Sequence, residues 1–500
     1  MAALKGDEDL YQRGRLLVRI IKDESPPTVV RRESGSPVIS PLLAPTLRET
    51  LTRSARFCRP KGDELVECHP TQWLVNAIHC RGSWPGVRHL SGYSDAPVLR
   101  ADGSVWQEPG YDHQTCILYQ PNAKFEPVPM NPTRDDAARS AVALLEVVQD
   151  FRFEGECHRA GYVAGLLSPL ARACYAGSTP LFLIDANKPG SGKGLLAKTI
   201  GQIVSGRELP VSSYCHDAEE MRKQITTIAM AGDPMVLLDN LHGNFGNGPL
   251  DRALTTNWWR DRVLSTNLQV ELPLLMTWYA TGNNVQIVGD TIRRIIHIRL
   301  VVLNEHPEHR SDFKHPDLLG WVSISRPNLV RAALTVLSAY IRAGMPRQNL
   351  RPMGGFEGWS RLVREAVVWA GLEDPALSTD SLAATSDVET ESLEMLVRAW
   401  RMYDPHGDGL VVSDLLHSLY DGYTGDLISD DPRGAMRAAI QQITGTPTGR
   451  TPDPRRVGNR FKSFRQVVTD GAYLDINPME KRRNGGVWRL YEVAQSSKSL

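Results

Sequence analysis

Lys193 stands directly after the second glycine of a turn that joins an apolar strand to a helix: Leu181–Lys198 reads LFLIDANKPGSGKGLLAK. In such a turn the backbone N–H groups and the positive helix end face an anion, and the lysine ammonium reaches the outer phosphates of a triphosphate. Two positions depart from the usual spacing. Asn187 stands in place of a first glycine, and Gly194 in place of the Ser or Thr that would bind magnesium.

The residues that would complete this chemistry lie at later strand ends. Pro234–Asn240, PMVLLDN, ends in Asp239, and an acid there sits beside the glycine turn of a parallel sheet and holds magnesium directly or through water. Leu274–Asn284, LLMTWYATGNN, ends in Thr281, Asn283 and Asn284, where a polar side chain orients the water that attacks the γ-phosphate. Gly289–Leu300, GDTIRRIIHIRL, sets Arg293 and Arg294 before a β-branched strand; arginine there supplies transition-state charge to a neighbouring subunit's nucleotide. Asn240 follows Asp239, and an amide takes no proton at neutral pH. Hydrolysis is therefore slow, or Asp185, Glu271 or Asp251 serves as base.

Four such elements in this order resemble the AAA+ ATPases. The resemblance places Walker A at Lys188–Gly194, Walker B at Val236–Asp239, sensor 1 at Asn283 and the arginine finger at Arg293 or Arg294. It implies nucleotide contacts from Asn187, Lys188, Pro189, Gly190, Ser191, Gly192, Lys193 and Gly194, with Asp239 on the metal. Arg361 and Arg364, three apart in EGWSRLVREAVVWAG, share a helix face; one of them is a sensor 2 candidate, the alternative being a solvated pair.

The resemblance extends to the ATPase part of phage- and prophage-type replicative helicases, often fused to primases and grouped near helicase superfamily 3. SGYSDAPVLRADGSVWQEPGYD, LLDNLHGNFGNGPLDRALTTNWWRDRVL, ATGNNVQIVGDTIRR and GGFEGWSRLVREAVVWAGLEDP carry it over roughly residues 70–375. It implies DNA replication of a mobile element, ATP and Mg2+, single-stranded or forked DNA, and a homo-oligomeric ring, a hexamer. The chain shows no primase signature, so priming would fall to a separate partner. Arg260 and Arg262 lie between Walker B and sensor 1, where such helicases place DNA-facing or neighbour-facing elements; Trp258 and Trp259 read as packing residues, with base stacking the alternative that the sequence leaves open.

The expected fold is α/β: a P-loop parallel sheet with a helical lid, a mixed N-terminal domain and a C-terminal winged-helix-like domain. The expected boundaries are 1–130 for the N-terminal domain, 131–305 for the ATPase core with its leading helices, and 306–375 for the lid. An acidic linker at 376–390 and the DNA-binding domain at 391–500 follow. Helices are expected over Leu47–Cys58, Pro70–Arg81, Asp135–Val148, His158–Ala176, Pro327–Ala343 and Gly358–Ala370. Arg88–Tyr119, with its Asp-Gly and Pro-Gly turns, reads as a hairpin unit in which Asp112 and His113 have a turn role, a catalytic one being the alternative.

Lys plus Arg and Asp plus Glu both number 57, so the net charge is zero. The distribution is uneven. Arg450–Leu490 holds ten basic residues against four acidic ones, a local +6. Helices followed by a basic hairpin read as a winged helix, with Arg456 and Lys462 on the recognition helix and Lys481, Arg482 and Arg483 at the wing tip; a solvated hairpin is the alternative. Seven scattered cysteines fit a reducing cytoplasm, and no apolar run is long enough to span a membrane. Cys58, Cys68, His69, His79 and Cys80 lack the close pairing of zinc ligands. The alternative function, favoured by Asn240 and Gly194, is an ATP-switched loader or origin-binding scaffold with little hydrolysis.

Overall fold

The computed structural model describes residues 2–24, 30–262, 269–302, 312–385, 387–421, 431–447, 449–482 and 485–493. They form two compact units, Met1–Leu382 and Ala383–Leu500.

The first unit is built on five parallel strands: β1 (Leu181–Ala186), β2 (Val211–Ser213), β3 (Met235–Leu241), β4 (Thr277–Asn283) and β5 (Ile295–Leu300). Their order across the sheet is β2-β3-β4-β1-β5. Every residue of β1 is buried, as a central parallel strand requires. Its alternate side chains serve opposite layers. Phe182 and Ile184 pack with α1 (Arg134–Glu146), α2 (Glu156–Ala171), α3 (Lys193–Val204) and α5 (Leu318–Arg342), whereas Leu181 and Leu183 pack with α4 (Ala218–Ala231). Each such buried side chain stabilises by about 1.5–3 kcal/mol.

Capping sets the helix ends. Thr133 and Asp136 close a capping box before α1, Asp217 caps α4, and Gly232 in the left-handed conformation ends it. α5 begins at Leu318, where Asp317 accepts from the Gly320 N–H, so Pro327 lies inside the helix and does not open it. The following helix carries a π turn: Glu357–Trp359, then Ser360–Arg364, then Glu365–Trp369.

The N-terminal region adds a four-stranded sheet ordered Ser36–Pro41, Leu16–Asp23, Tyr11–Arg13, Arg88–His89. Arg31 and Val211 exchange both backbone hydrogen bonds, extending the main sheet beyond β2. Arg32 grips Asp233 with two N–H groups, and Arg207 pairs with Asp95 at 2.6 Å. Asp112 accepts from Arg100 and Thr115 in its turn; burial raises its pKa, but these donors outweigh that and hold it down at about 2. Among the described residues no cluster of His, Cys, Asp and Glu suits a metal, and all seven cysteines are free.

Residues 377–385, expected within an acidic linker, form helix α6 (Leu377–Thr385). Its first turn seals β5: Ser378 Oγ accepts from the His297 N–H at 3.1 Å, and Thr379 Oγ1 donates to the Ile295 carbonyl at 2.9 Å.

The second unit contains α7 (Asp387–Tyr403), α8 (Val412–Tyr420), α9 (Pro432–Thr444), α10 (Pro454–Ser463), β6 (Ala472–Arg482) and β7 (Gly485–Glu492). Trp400, Ile440, Val457, Phe461, Leu474 and Trp488 are part of its core. Leu410 bridges antiparallel to Trp488, adding a short third element to the β6–β7 hairpin. No helix is long and apolar enough to cross a membrane, among the described residues.

Candidate functional site

The C-terminal ends of β1, β4 and β3 converge on one locus. Beyond β1 the chain turns through Gly190 (φ 73°) and Gly192 (φ 86°) into α3. A Cβ on Gly192 would lie 2.9 Å from the Phe151 ring, so both conformation and space demand glycine there. Lys193 folds back over the loop: Nζ lies 2.6 Å from Asn283 Oδ1, 3.0 Å from Ser191 Oγ and 3.4 Å from the Lys188 carbonyl. Burial pulls its pKa below the ordinary lysine value, against the opposing pull of Asp185 and Asp239.

Asn187 has a use that glycine lacks. Its amide donates to the Val302 carbonyl and accepts from the Val302 N–H, both at 2.9 Å, clasping the loop to the chain beyond β5. On β3, Asp239 Oδ1 accepts from Thr281 Oγ1 at 2.5 Å, and the same hydroxyl accepts from the Asn240 N–H at 3.0 Å. Asn240 has φ 58°, and Asn284, next to Asn283, has φ 45°. Asparagine tolerates this left-handed region better than most residues, which suits it to position 240.

The three alternative bases are committed elsewhere. Asp185 is 1% exposed and receives Arg299; Glu271 is paired with Arg260; Asp251 accepts from Thr291 and pairs with Arg294. Beside Asp239 and Asn240 opens a cleft of about 620 Å³ that His216 and His242 also line.

Against the other side of the Gly190–Gly192 turn lies a cavity of about 710 Å³ lined by Gly190, Gly192, Leu195, Phe151, Phe153 and His315. Phe153 pairs with Leu300 at the edge of β5, and His315 stacks on Trp321 at 4.0 Å. The glycine-turn and strand-end motifs do not include this aromatic wall, whose sequence signal is Phe151-Arg152-Phe153 ahead of α2. The cavity does not reach Arg361 or Arg364. Arg361 donates to Glu365 at 2.7 Å and Tyr340 at 2.9 Å. Arg364 is buried, forks onto Asp374 and lines a separate cavity of about 500 Å³ with Arg293 and Arg294. The π turn separates them, because three residues along it no longer return to one face.

Arg293 and Arg294 end a short 3-10 turn before β5. The Arg293 side chain is 69% exposed and pairs with the exposed Asp290 at 2.6 Å. Arg294 is 13% exposed and holds Asp251 at 2.5 Å as well as Asp290.

Arg260 and Arg262 lie on a hairpin, Trp258–Arg262 paired with Gln269–Pro273, that projects between β3 and β4 in the chain. Both are exposed, and Arg260 meets Glu271 at 2.6 Å. Trp259 is buried with its indole N–H on Thr226, but Trp258 is half-exposed, contrary to the packing role expected for it. In the second unit, Val457 and Phe461 turn one face of α10 inward while Arg456 and Lys462 stand exposed. Lys481 and Arg482 fall at the end of β6, paired with Gly486 and Gly485, not in a loop; Arg483 lies outside the described residues.

No protein-family model and no curated protein matches the chain. Among solved structures, the chain is similar to the apo C-terminal region of NrS-1, with a TM-score of 0.38 and 12% identity over 89% of this chain and 98% of that one. It is similar to the SCCmec type IV Cch helicase at a TM-score of 0.34 and 9% identity, over 97% of each chain. JCV helicase shows a TM-score of 0.22 and 13% identity over 53% of this chain and 73% of that one.

Proposed function

We propose that the chain is an ATP-dependent DNA helicase or translocase acting in replication of a phage or mobile element. The observation that carries this reading is the convergence of Lys193, Asn283 and Asp239 on three adjacent parallel strand ends. In this reading Asn187–Gly194 cradles the phosphates, Lys193 balances their charge, and Asn283 orients the attacking water. The aromatic cavity beside Gly192 takes the base. Asp239, exposed at its strand end, offers a hard carboxylate oxygen that fits Mg2+, while Gly194 contributes none. Magnesium bound there would neutralise developing phosphate charge.

Arg293, the more exposed of the pair, would act on a neighbouring copy's nucleotide in a ring, a hexamer in this proposal. The hairpin arginines and the basic face of α10 with the β6–β7 tip would hold DNA, the latter as a winged-helix-like domain. Priming would come from a separate protein, and the chain would work in the cytoplasm. Steady-state ATP hydrolysis with and without single-stranded DNA tests the reading: DNA-stimulated turnover supports it.

The second reading, an ATP-switched loader with little hydrolysis, draws on the left-handed Asn240 where a base would stand. Tight ATP binding without turnover in either condition would favour it.

A further inference from the structure

We propose that Arg299 is a positioning residue that couples the phosphate loop to the Asn283 loop through Asn284. This coupling rests on the ATPase reading above and deepens it. Arg299 stands on β5 directly opposite Asp185 of β1. Its guanidinium reaches three segments at once. Nη1 donates to Asp185 Oδ2 at 2.5 Å, Nη2 donates to Asn284 Oδ1 at 3.0 Å, and Nε lies 3.4 Å from Glu154 Oε1 ahead of α2. Asn284 in turn donates its backbone N–H to the Ala186 carbonyl at 3.1 Å and its side-chain amide to the Asn187 carbonyl at 3.4 Å.

A purely structural arginine would be accounted for by the buried Asp185 carboxylate alone. The second arm goes instead to the neighbour of Asn283, the residue that receives the Lys193 ammonium. The contacts close a loop: Lys193 to Asn283, along the chain to Asn284, across to Arg299, onto Asp185 and back through β1 to the phosphate loop. Asn283 cannot shift toward or away from Lys193 without moving Asn284 against that planar fork. Only a rigid guanidinium spans all three directions; a lysine in its place supplies charge without the geometry. Small displacements matter at such a site, because a misplacement of about 1 Å can cost about a hundredfold in rate.

The test uses the full chain and separates this role from folding. Asn284→Gly removes the link while keeping the left-handed backbone free of strain. Arg299→Lys keeps a cation beside the buried Asp185. The expected result is a fall in kcat of about tenfold to a hundredfold for each variant. Binding of a fluorescent ATP analogue and the unfolding midpoint should stay near wild type, and the double variant should lose no more than the worse single one, since both cut one link. A wild-type kcat in Asn284→Gly, additive losses, or losses in affinity that match those in kcat would overturn the coupling. A wild-type chain that binds and hydrolyses no ATP would instead overturn the ATPase reading itself, and the coupling with it.

Discussion

The Lys193 ammonium donates to the Asn283 carboxamide across 2.6 Å, tying the first residue of α3 to the end of the adjacent strand β4. The lysine that would meet phosphate and the amide that would place water thus share one hydrogen bond. The first prediction follows from it. Lys193→Ala should abolish binding of a fluorescent ATP analogue while the unfolding midpoint changes little, because the side chain rests on loop groups and not in a core. Unchanged affinity would remove the phosphate-loop assignment.

The two arginines before β5 should separate experimentally. Arg293→Ala, exposed, should lower turnover by about a thousandfold or more with little change in nucleotide affinity or melting temperature. Arg294→Ala strips the partly buried Asp251 of its cationic partner, leaving only the Thr291 hydroxyl, and should cost about 1–2 kcal/mol of stability. Mixing Arg293→Ala with Lys193→Ala subunits should partly restore hydrolysis if the finger acts between copies. Absence of any rescue, in a preparation that sediments as a monomer with ATP, would sink it.

Neutralising Lys481, Arg482 and Arg483 together should weaken DNA binding at moderate salt. Each DNA phosphate that no longer meets a cation should flatten the logarithmic salt dependence by roughly one unit. ATP hydrolysis without DNA should stay near wild type. If the salt slope does not move, Arg260 and Arg262 are the next pair to neutralise.

Stability should fall on acidification through a histidine. Burial holds the His158 pKa below its ordinary value; the hydrogen bond to the His297 carbonyl and the charge of Glu154 oppose this, while the His297 ring and Arg299 add to the depression. The unfolded chain takes up this proton as pH drops past about 6.5, whereas the folded chain resists until lower pH. The contribution is therefore complete above that value and is lost progressively below it. His158→Gln should flatten the difference between melting temperatures measured near pH 7.5 and pH 5.5; an unchanged difference would exclude His158 as its source.

Much of the site was legible because strand ends announce themselves: an apolar run stopping at Asp239 or Asn283 leaves few places for those residues to go. What was not legible depends on contacts distant in sequence. Asn187 looked like a defect in the glycine pattern until Val302 came within reach of its amide. Arg361 and Arg364 share a face at α-helical spacing, and only the π turn parts them. The aromatic wall at Phe151 and Phe153 lies beside the candidate site because β5 holds that segment at its edge. Pro327 looked like a first helical residue, but Asp317 caps the helix well before it. A cap outweighs a proline that the helix can absorb.

The hydroxyls of Ser378 and Thr379 have a practical meaning for anyone dividing this chain. A cut just after Asp374 would sever the acidic stretch at its start and leave the His297 N–H and the Ile295 carbonyl without those partners. Bare backbone on an outer strand recruits other strands, so such a fragment should self-associate and precipitate whatever its catalytic competence. A fragment carried through Thr385 keeps its own stopper and should remain dispersed.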